Sequence, residues 1–133
     1  MEKLLHQELT DKIIGTYYDV YNTLGYAFME KVYQNAMYFE LNERGFEVEA
    51  QKLCRVYYKK YMVGEFYPDI IVDNSVILEL KATESLVYAN EIQLLNYLRA
   101  TNIEVGLLLN FGKKPQIKRL IFTNDKKPNY KPI

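Results

Sequence analysis

The chain is short of the residues on which several common chemistries depend. Cys54 is its only cysteine and His6 its only histidine. A single cysteine excludes an internal disulfide and is compatible with a reducing cytosol. A single histidine close to the N-terminus excludes histidine-based zinc sites and histidine-dependent nucleophilic triads. The chemistry that remains is that of carboxylates, lysine, tyrosine and amides.

Signals for nucleotide cradling, membrane insertion and export are also missing. Neither G-x-x-x-x-G-K-[ST] nor G-x-G-x-x-G occurs, so a glycine loop that cradles phosphates is not expected. Apolar runs such as 76–78 and 105–109 are far shorter than the roughly 20 residues that span a bilayer. Residues 1–9 mix charges with leucines and lack the apolar stretch of a signal peptide. We therefore expect a cytoplasmic protein with no membrane partner.

Charge is balanced over the whole chain but not along it. The 17 lysines and arginines equal the 17 aspartates and glutamates. Seven of the basic residues fall in 113–133, where Asp125 is the one acid, so this segment has a net charge of +6. This asymmetry is typical either of a protein that binds an anionic partner or of a lysine-rich terminus that only increases solubility.

Composition and periodicity predict a single α/β domain. A chain of 133 residues with 49% hydrophobic content can fill one core. Helical spacing predicts a helix capped by Thr10 and ended by Gly25, and a second helix over about 28–44 ended by Gly45. These two helices predict an N-terminal αα-hairpin.

The rest of the chain alternates between strand and helix patterns. Strands are predicted at 46–51, 54–62, 67–72, 76–82, 105–110 and 117–122, and a helix at 86–101. Gly64 and the pair Asp73-Asn74 are predicted to form turns. This order predicts a mixed β-sheet flanked by helices, with one domain over 1–123 and an extended C-terminal tail over 124–133.

Two charged residues interrupt the apolar strand over 76–82. Its sequence, VILELKA, is otherwise typical of a strand covered on both faces, yet it contains Glu79 and Lys81. Because side chains alternate across a strand, both share a face with Ile77. Buried charges need a partner, a metal or access to solvent. A turn at 73–74 would pair this strand with the preceding one and bring Asp69 beside Glu79 and Lys81.

Two carboxylates and an ammonium in one place suit metal-assisted phosphodiester hydrolysis. The oxygens of Asp69 and Glu79, helped by a backbone carbonyl, are the hard ligands that Mg²⁺ prefers, and they leave room for water and phosphate. A divalent ion acidifies water and stabilises charge on phosphoryl oxygens. Lys81 can orient the attacking water or neutralise the pentavalent phosphorus. The alternative is a structural ion pair of Lys81 with one of the carboxylates.

Several short segments carry a resemblance to a known family. Pro68-Asp69 followed by Glu79-Leu80-Lys81 resembles the PD-(D/E)XK nuclease signature. The wider match comprises 24–25 (LG), 29–33 (MEKVY), 69–72 (DIIV), 77–82 (ILELKA), 93–98 (QLLNYL) and 106–112 (GLLLNFG). In this order, over roughly 13–122, the chain resembles the small GxxExxY family of that superfamily.

The resemblance implies a restriction-endonuclease-like core with assigned roles for particular residues. Its metal ligands are Asp69, Glu79 and the Leu80 carbonyl, which Glu30 of the helical motif would complete, and the ion is Mg²⁺ or Mn²⁺. Lys81 is the catalytic lysine. Gln93 and Tyr97, at i, i+4 spacing, would hold a phosphate, the water or Lys81. Each of these helix residues also has an alternative interpretation: Glu30 as a solvated helix residue, Gln93 as a capping amide and Tyr97 as a core aromatic.

Two positions depart from the family pattern. Ala27 stands where the family name has its first glycine, which is expected to alter the entry to the helix. Asn90 stands where many relatives carry a histidine, so any role of that group is missing. Neither change removes an implied metal ligand.

The leading hypothesis is a Mg²⁺-dependent nuclease that acts on DNA or RNA. The neutral net charge counts against it, because nucleic-acid enzymes usually have a basic surface, although a modest cationic rim is available from Lys59, Lys60, Lys113 and Lys114. The alternative is a non-catalytic nucleic-acid-binding or complex-forming module that retains the fold. By analogy with small nucleases that cut two strands, a homodimer is a further partner to consider.

Overall fold

The fold is known from a computed structural model, which describes residues 4–127. It contains three α-helices, seven strands and one short 3-10 helix. The elements are α1 (Gln7–Leu24), α2 (Glu30–Glu43), β1 (Val48–Ala50), β2 (Cys54–Tyr58), β3 (Tyr61–Phe66), β4 (Ile70–Val72), β5 (Val76–Lys81), α3 (Tyr88–Ala100), β6 (Val105–Phe111), β7 (Pro115–Ile121) and the 3-10 helix Asn124–Lys126. Among these elements, no helix combines the length and the apolar character needed to cross a membrane.

The main sheet has five strands in the order β1-β4-β5-β6-β7. β5 and β6 are parallel and are joined through α3, whereas the other neighbouring pairs are antiparallel. The predicted mixed sheet flanked by helices is therefore confirmed. β5 lies at its centre and is buried from Val76 to Leu80, which is the reason that its sequence is almost continuously apolar.

Each face of the sheet is covered by helices. The N-terminal helical hairpin of α1 and α2 packs on one face, where Tyr17 and Tyr33 join Leu78 and Leu80 in the larger apolar cluster. α3 covers the other face, where Ile77 joins a second cluster with Leu94 and Leu98. The predicted alternation along β5 is thus confirmed, and Glu79 and Lys81 belong to the face of α3.

Gly106 allows α3 to lie close to β6. A Cβ atom built on Gly106 would come within 2.9 to 3.0 Å of three side-chain atoms of Leu94, closer than packed carbon atoms approach. Leu94 is fully buried. The absence of a side chain at Gly106 therefore sets the distance between the helix and the sheet.

A second, two-stranded sheet differs from the prediction. The predicted strand over 54–62 is divided into β2 and β3, which form an antiparallel hairpin around Lys59, a residue with a φ of 54°. Gly64 is not a turn, since it lies within β3 opposite Val56, next to a register shift. A glycine inside a strand often marks such a bulge. The turn was missed because its two central residues are lysines, which carry no turn signal.

The turn at Asp73-Asn74 is confirmed. Both residues have a positive φ, 51° and 52°, as the two central residues of a type I′ turn require, and the Ser75 amide closes this turn by donating to the Val72 carbonyl at 2.9 Å. Its effect is to pair β4 with β5 so that Ile70 faces Leu78. The register of this hairpin places the residues that precede β4 beside the end of β5.

The ends of the helical hairpin and of the chain differ in detail from the prediction. α1 begins at Gln7 rather than after Thr10, and the Thr10 hydroxyl donates a hydrogen bond to the Gln7 carbonyl at 3.0 Å. Within the predicted extended tail, Asn124–Lys126 forms a 3-10 helix. The buried Lys127 ammonium then donates to the carbonyls of Thr101 and Ile103 at 2.8 and 2.7 Å. The remainder of that tail, 128–133, lies outside the described residues.

Candidate active site

Asp69 and Glu79 are held side by side by the hairpin of β4 and β5. The backbone amide of Asp69 donates to Glu79 Oε1 at 3.1 Å, and the amide of Leu80 donates to Asp69 Oδ2 at 2.8 Å. Their exposed fractions are 9% and 4%. Each carboxylate is therefore fixed by the backbone of the other strand, and both face the α3 side of the sheet.

Burial disfavours the ionisation of both carboxyl groups, and the charge of Asp69 further disfavours that of Glu79. Burial, followed by the charge of Asp69, raises the pKa of Glu79 to about 8. Burial also raises the pKa of Asp69, against the opposing effects of the Leu80 amide and Lys81. Within residues 4–127, neither acid forms an ion pair with a basic side chain. Two buried acids without a paired protein cation form a donor set of hard oxygens that fits a divalent ion.

Lys81 begins a chain of contacts that runs onto α3. Its ammonium donates to Gln93 Oε1 at 3.3 Å, and Gln93 Nε2 donates to the Tyr97 hydroxyl at 2.9 Å. Burial and the charge of Glu79 raise the pKa of Tyr97, so the hydroxyl keeps its proton at neutral pH. The ring of Phe66 stacks on Tyr97 with centroids 4.3 Å apart. The structure therefore brings Lys81, Gln93 and Tyr97 together, as the sequence predicts.

The alternative interpretations of these residues fare differently. The ion pair between Lys81 and Glu79 or Asp69 is not formed among the described residues. Gln93 does not cap a helix, since it lies inside α3 with its amide between Lys81 and Tyr97. Tyr97 does pack against the apolar cluster under α3, so it is a core aromatic that also carries a hydrogen bond.

Glu30 lies within electrostatic range of the site. It is the first residue of α2, and burial and the charge of Asp69 raise its pKa, whereas Lys81 lowers it. Its carboxylate accepts a hydrogen bond from Gln34 Nε2 at 3.1 Å. Among residues 4–127, however, no three His, Cys, Asp or Glu side chains are placed to hold a metal together. Glu30 is thus near the two carboxylates without forming a preassembled three-carboxylate set with them.

A tight loop between α1 and α2 leads into Glu30. Ala27 has a φ of 86°, a conformation that favours glycine. Tyr33 closes the same loop: its hydroxyl donates to the Gly25 carbonyl at 2.7 Å and accepts from the Phe28 amide at 3.2 Å. The Tyr33 side chain therefore stabilises the loop that precedes Glu30.

Three residues near the site were not singled out from the sequence. Gln51 Nε2 donates to Asp69 Oδ1 at 3.4 Å. Asn110 is fully buried opposite Lys81 in the β5–β6 pair, and its amide forms two hydrogen bonds of 3.0 Å with the backbone of Thr83. Gln116 accepts a further bond from Asn110 at 3.1 Å. Asn110 had a signal, because it is the one polar residue of an otherwise apolar strand, whereas Gln51 in an exposed bend had none.

Asn90 has a structural role at the start of α3. Its side-chain oxygen accepts a hydrogen bond from the Val87 backbone amide at 3.0 Å, and its backbone amide donates to the Val87 carbonyl at 3.0 Å. Such reciprocal bonds satisfy backbone groups at the start of a helix. Asn90 therefore fixes the first turn of α3, the helix that carries Gln93 and Tyr97.

A mixed sheet is covered by helices, with one buried acid directly before β4, a second on the neighbouring β5 and a lysine two residues further along β5. This is the arrangement of the restriction-endonuclease-like fold. The sequence model of the PD-(D/E)XK nuclease superfamily matches residues 7–120, and the chain belongs to this superfamily. Its members generally use divalent metals, and membership suggests nuclease activity on a nucleic-acid substrate. Comparison with curated proteins and with solved structures gave no match.

Proposed function

We propose that the protein is a Mg²⁺-dependent nuclease that hydrolyses phosphodiester bonds of DNA or RNA. The observation that carries the proposal is the pair of buried acids, Asp69 and Glu79, beside an ammonium that forms no ion pair with them. A folded domain gains little stability from two adjacent buried acids, because both are desolvated and the charge of Asp69 disfavours the ionisation of Glu79. Their presence is accounted for if they bind a cation.

Asp69, Glu79 and the Leu80 carbonyl would hold Mg²⁺ or Mn²⁺, and Glu30 is the additional ligand within range. Carboxylate and carbonyl oxygens are the ligands that these ions prefer, and two or three of them leave positions for solvent and phosphate. When bound, the ion makes water more acidic and offsets negative charge on the phosphoryl oxygens. Backbone amides hold both carboxylates in place: the amide of Leu80 donates to Asp69, and the amide of Asp69 donates to Glu79.

Lys81 is proposed as the group that stabilises the charge developing at phosphorus. An ammonium has three donors, and one is used by Gln93 Oε1. The other two remain for a phosphate oxygen and the attacking water. Because Gln93 donates to Tyr97, its amide oxygen is the end that faces Lys81. Gln93 and Tyr97 therefore act as positioning residues that hold the ammonium before charge develops.

The second candidate is a non-catalytic nucleic-acid-binding or complex-forming module. The observation in its favour is that the described residues do not preassemble three carboxylates around one point. Against it, a module that only binds nucleic acid has no need for two buried acids next to Lys81.

We also propose that the chain belongs to the GxxExxY group of the superfamily, acts in the cytoplasm and forms a homodimer when it cuts two strands.

Cleavage assays with matched variants test the proposal. Labelled single- and double-stranded DNA and RNA are incubated with the purified protein in Mg²⁺, Mn²⁺ or EDTA, beside Asp69→Asn and Glu79→Gln, which keep the size of each side chain. The proposal expects metal-dependent cleavage by the wild type alone. Cleavage that survives in both variants would remove Asp69 and Glu79 from the active site, whereas no cleavage of any substrate with any metal would favour the binding module.

A further inference from the structure

The hairpin of β2 and β3 exposes aromatic side chains around two lysines. Tyr58 and Tyr61 face each other across its end and are 59% and 57% exposed. The ammonium of Lys59 lies 5.3 Å from the centroid of the Tyr58 ring, and that of Lys60 lies 5.5 Å from the Tyr61 ring. The tip of the hairpin therefore presents two exposed rings, each with an ammonium over one of its two faces.

The same hairpin is a cationic region in an otherwise acidic part of the chain. Residues 1–112 contain 10 basic and 16 acidic residues. Three of these basic residues, Arg55, Lys59 and Lys60, lie in the hairpin, where Glu65 is the one acid. None of the three forms an ion pair within residues 4–127, unlike Lys12, Arg44 and Lys52 elsewhere. Arg55 lies opposite Glu65 across the hairpin, whereas the charges of Lys59 and Lys60 at its tip are available to an anionic partner.

The base of the hairpin is attached directly to the candidate active site. Phe66, the last residue of β3, stacks on Tyr97 with an interplanar angle of 5°. On the other side, Gln51 precedes β2 and donates to Asp69. β3 has six residues, which at about 3.3 Å per residue extend roughly 20 Å from this base. A strand of substrate that follows the hairpin would arrive at Asp69 and Glu79.

We propose that this hairpin binds a single-stranded stretch of nucleic acid and leads it to the carboxylates, an inference that rests on the proposed nuclease function. Unpaired bases stack on exposed tyrosines, and Lys59 and Lys60 contact the phosphates between them. Stacking platforms interleaved with cations are the means by which proteins hold single strands. A protein partner fits the surface less well, because lysine is depleted from the cores of protein interfaces.

Binding measured without cleavage tests the inference. A fluorescein-labelled single-stranded 20-mer, as DNA and as RNA, is titrated in EDTA with the wild type, with Tyr58→Ala/Tyr61→Ala and with Lys59→Gln/Lys60→Gln, and fluorescence anisotropy is recorded. The matched control is Tyr18→Ala/Phe39→Ala, which removes two exposed aromatic rings from α1 and α2 on the opposite face of the sheet. Melting temperatures verify that every variant is folded.

The expected result is specific to the hairpin. The tyrosine variant should bind either single strand at least about tenfold more weakly than the control, since it loses both rings on which bases stack. The lysine variant should lower the slope of log affinity against log salt by about 1 to 2. Hairpin variants that bind like the control, or a wild type that binds no single strand, would overturn the inference.

Three outcomes separate this inference from the nuclease proposal and from a protein partner. If hairpin variants lose binding and the wild type never cleaves, the hairpin assignment holds and the nuclease proposal fails. If the wild type cleaves and hairpin variants bind and cleave equally well, only the hairpin assignment fails. If the hairpin variants lose the self-association that light scattering detects in the wild type, but bind nucleic acid with unchanged affinity, the hairpin inference is overturned. The surface then contacts a second copy of the chain.

Discussion

The amide of Asp69 donates its hydrogen bond to the carboxylate of Glu79, so the backbone of one acid supports the charge of the other across 3.1 Å. The bond lowers the pKa of Glu79, but burial and the Asp69 charge outweigh it and raise that pKa from 4.5 to about 8. The folded protein without metal therefore favours protonated Glu79 over much of the neutral range.

The first prediction is that the metal-free protein loses stability as pH rises from about 4.5 to about 8. A carboxyl group whose pKa is higher in the folded than in the unfolded protein contributes stability that is fully present below its unfolded pKa. This contribution is lost as pH rises through its folded pKa. The slope approaches about 1.4 kcal/mol per pH unit for one proton. Urea unfolding in EDTA across this range measures it. The difference between wild type and Glu79→Gln isolates the group, and a constant difference would contradict the prediction.

The second prediction concerns the addition of Mg²⁺ at pH 8. A ligand that binds the folded state alone stabilises it by about 2.7 kcal/mol at one hundred times its Kd, and it relieves the repulsion between the two acids. Mg²⁺ should raise the melting temperature of the wild type, and EDTA should reverse the rise. Asp69→Asn removes an anionic ligand and should abolish the shift. An equal shift in this variant would place the ion elsewhere.

The third prediction separates the function of Lys81 from its contribution to stability. Lys81→Ala should reduce the single-turnover rate by about a hundredfold or more, because the charge that it meets grows in the transition state. Its melting temperature should change little, since no carboxylate loses an ion-pair partner. Lys12→Ala on α1 is the control. A variant of Lys81 that melts early but cleaves normally would make the lysine structural.

The fourth prediction is that Ala27→Gly stabilises the protein by about 1 kcal/mol. A φ of 86° costs a residue with a Cβ atom roughly 1–2 kcal/mol, part of which the greater freedom of unfolded glycine offsets. Ala36→Gly, inside α2, should instead cost about 1 kcal/mol. Denaturant midpoints of the two variants, measured together, should move in opposite directions.

The fifth prediction concerns the contact of α3 with β6. Gly106→Ala should cost about 1–3 kcal/mol, because the added methyl group meets the buried Leu94 side chain. Gly15→Ala in α1 is the matched change at a position where nothing lies within 4 Å, and it should stabilise the helix by up to about 1 kcal/mol. A Gly106→Ala variant as stable as the wild type would contradict the prediction and would show that the helix is free to move away from the sheet.

The central part of the site was predictable because two sequence rules agree there. The alternation along β5 fixed the side of the sheet to which Glu79 belongs, and the turn at Asp73-Asn74 fixed which residue lies opposite. Helical spacing then aligned Gln93 with Tyr97. These are local relationships, set by the periods of a strand and a helix.

The parts that were missed depend on contacts between distant segments. The split of 54–62 into two strands followed from cross-strand pairing of tyrosines, which no glycine, proline or asparagine announces. Gln51 reaches Asp69 only because β1 pairs with β4. Whether Glu30 meets the other two carboxylates depends on how α2 packs against the sheet, a property that spacing along one helix does not determine.

The two hairpins of the chain differ in how they would respond to insertions and deletions. One residue gained or lost at Asp73-Asn74 would shift Ile70 away from Leu78 and turn the alternate side chains of β4 to the wrong face, so this turn is expected to be invariant in length among homologues. At Lys59-Lys60, pairs of residues can be added or removed without disturbing Phe66 against Tyr97. Evolution can therefore lengthen or shorten the second hairpin while leaving the chemistry at its base intact.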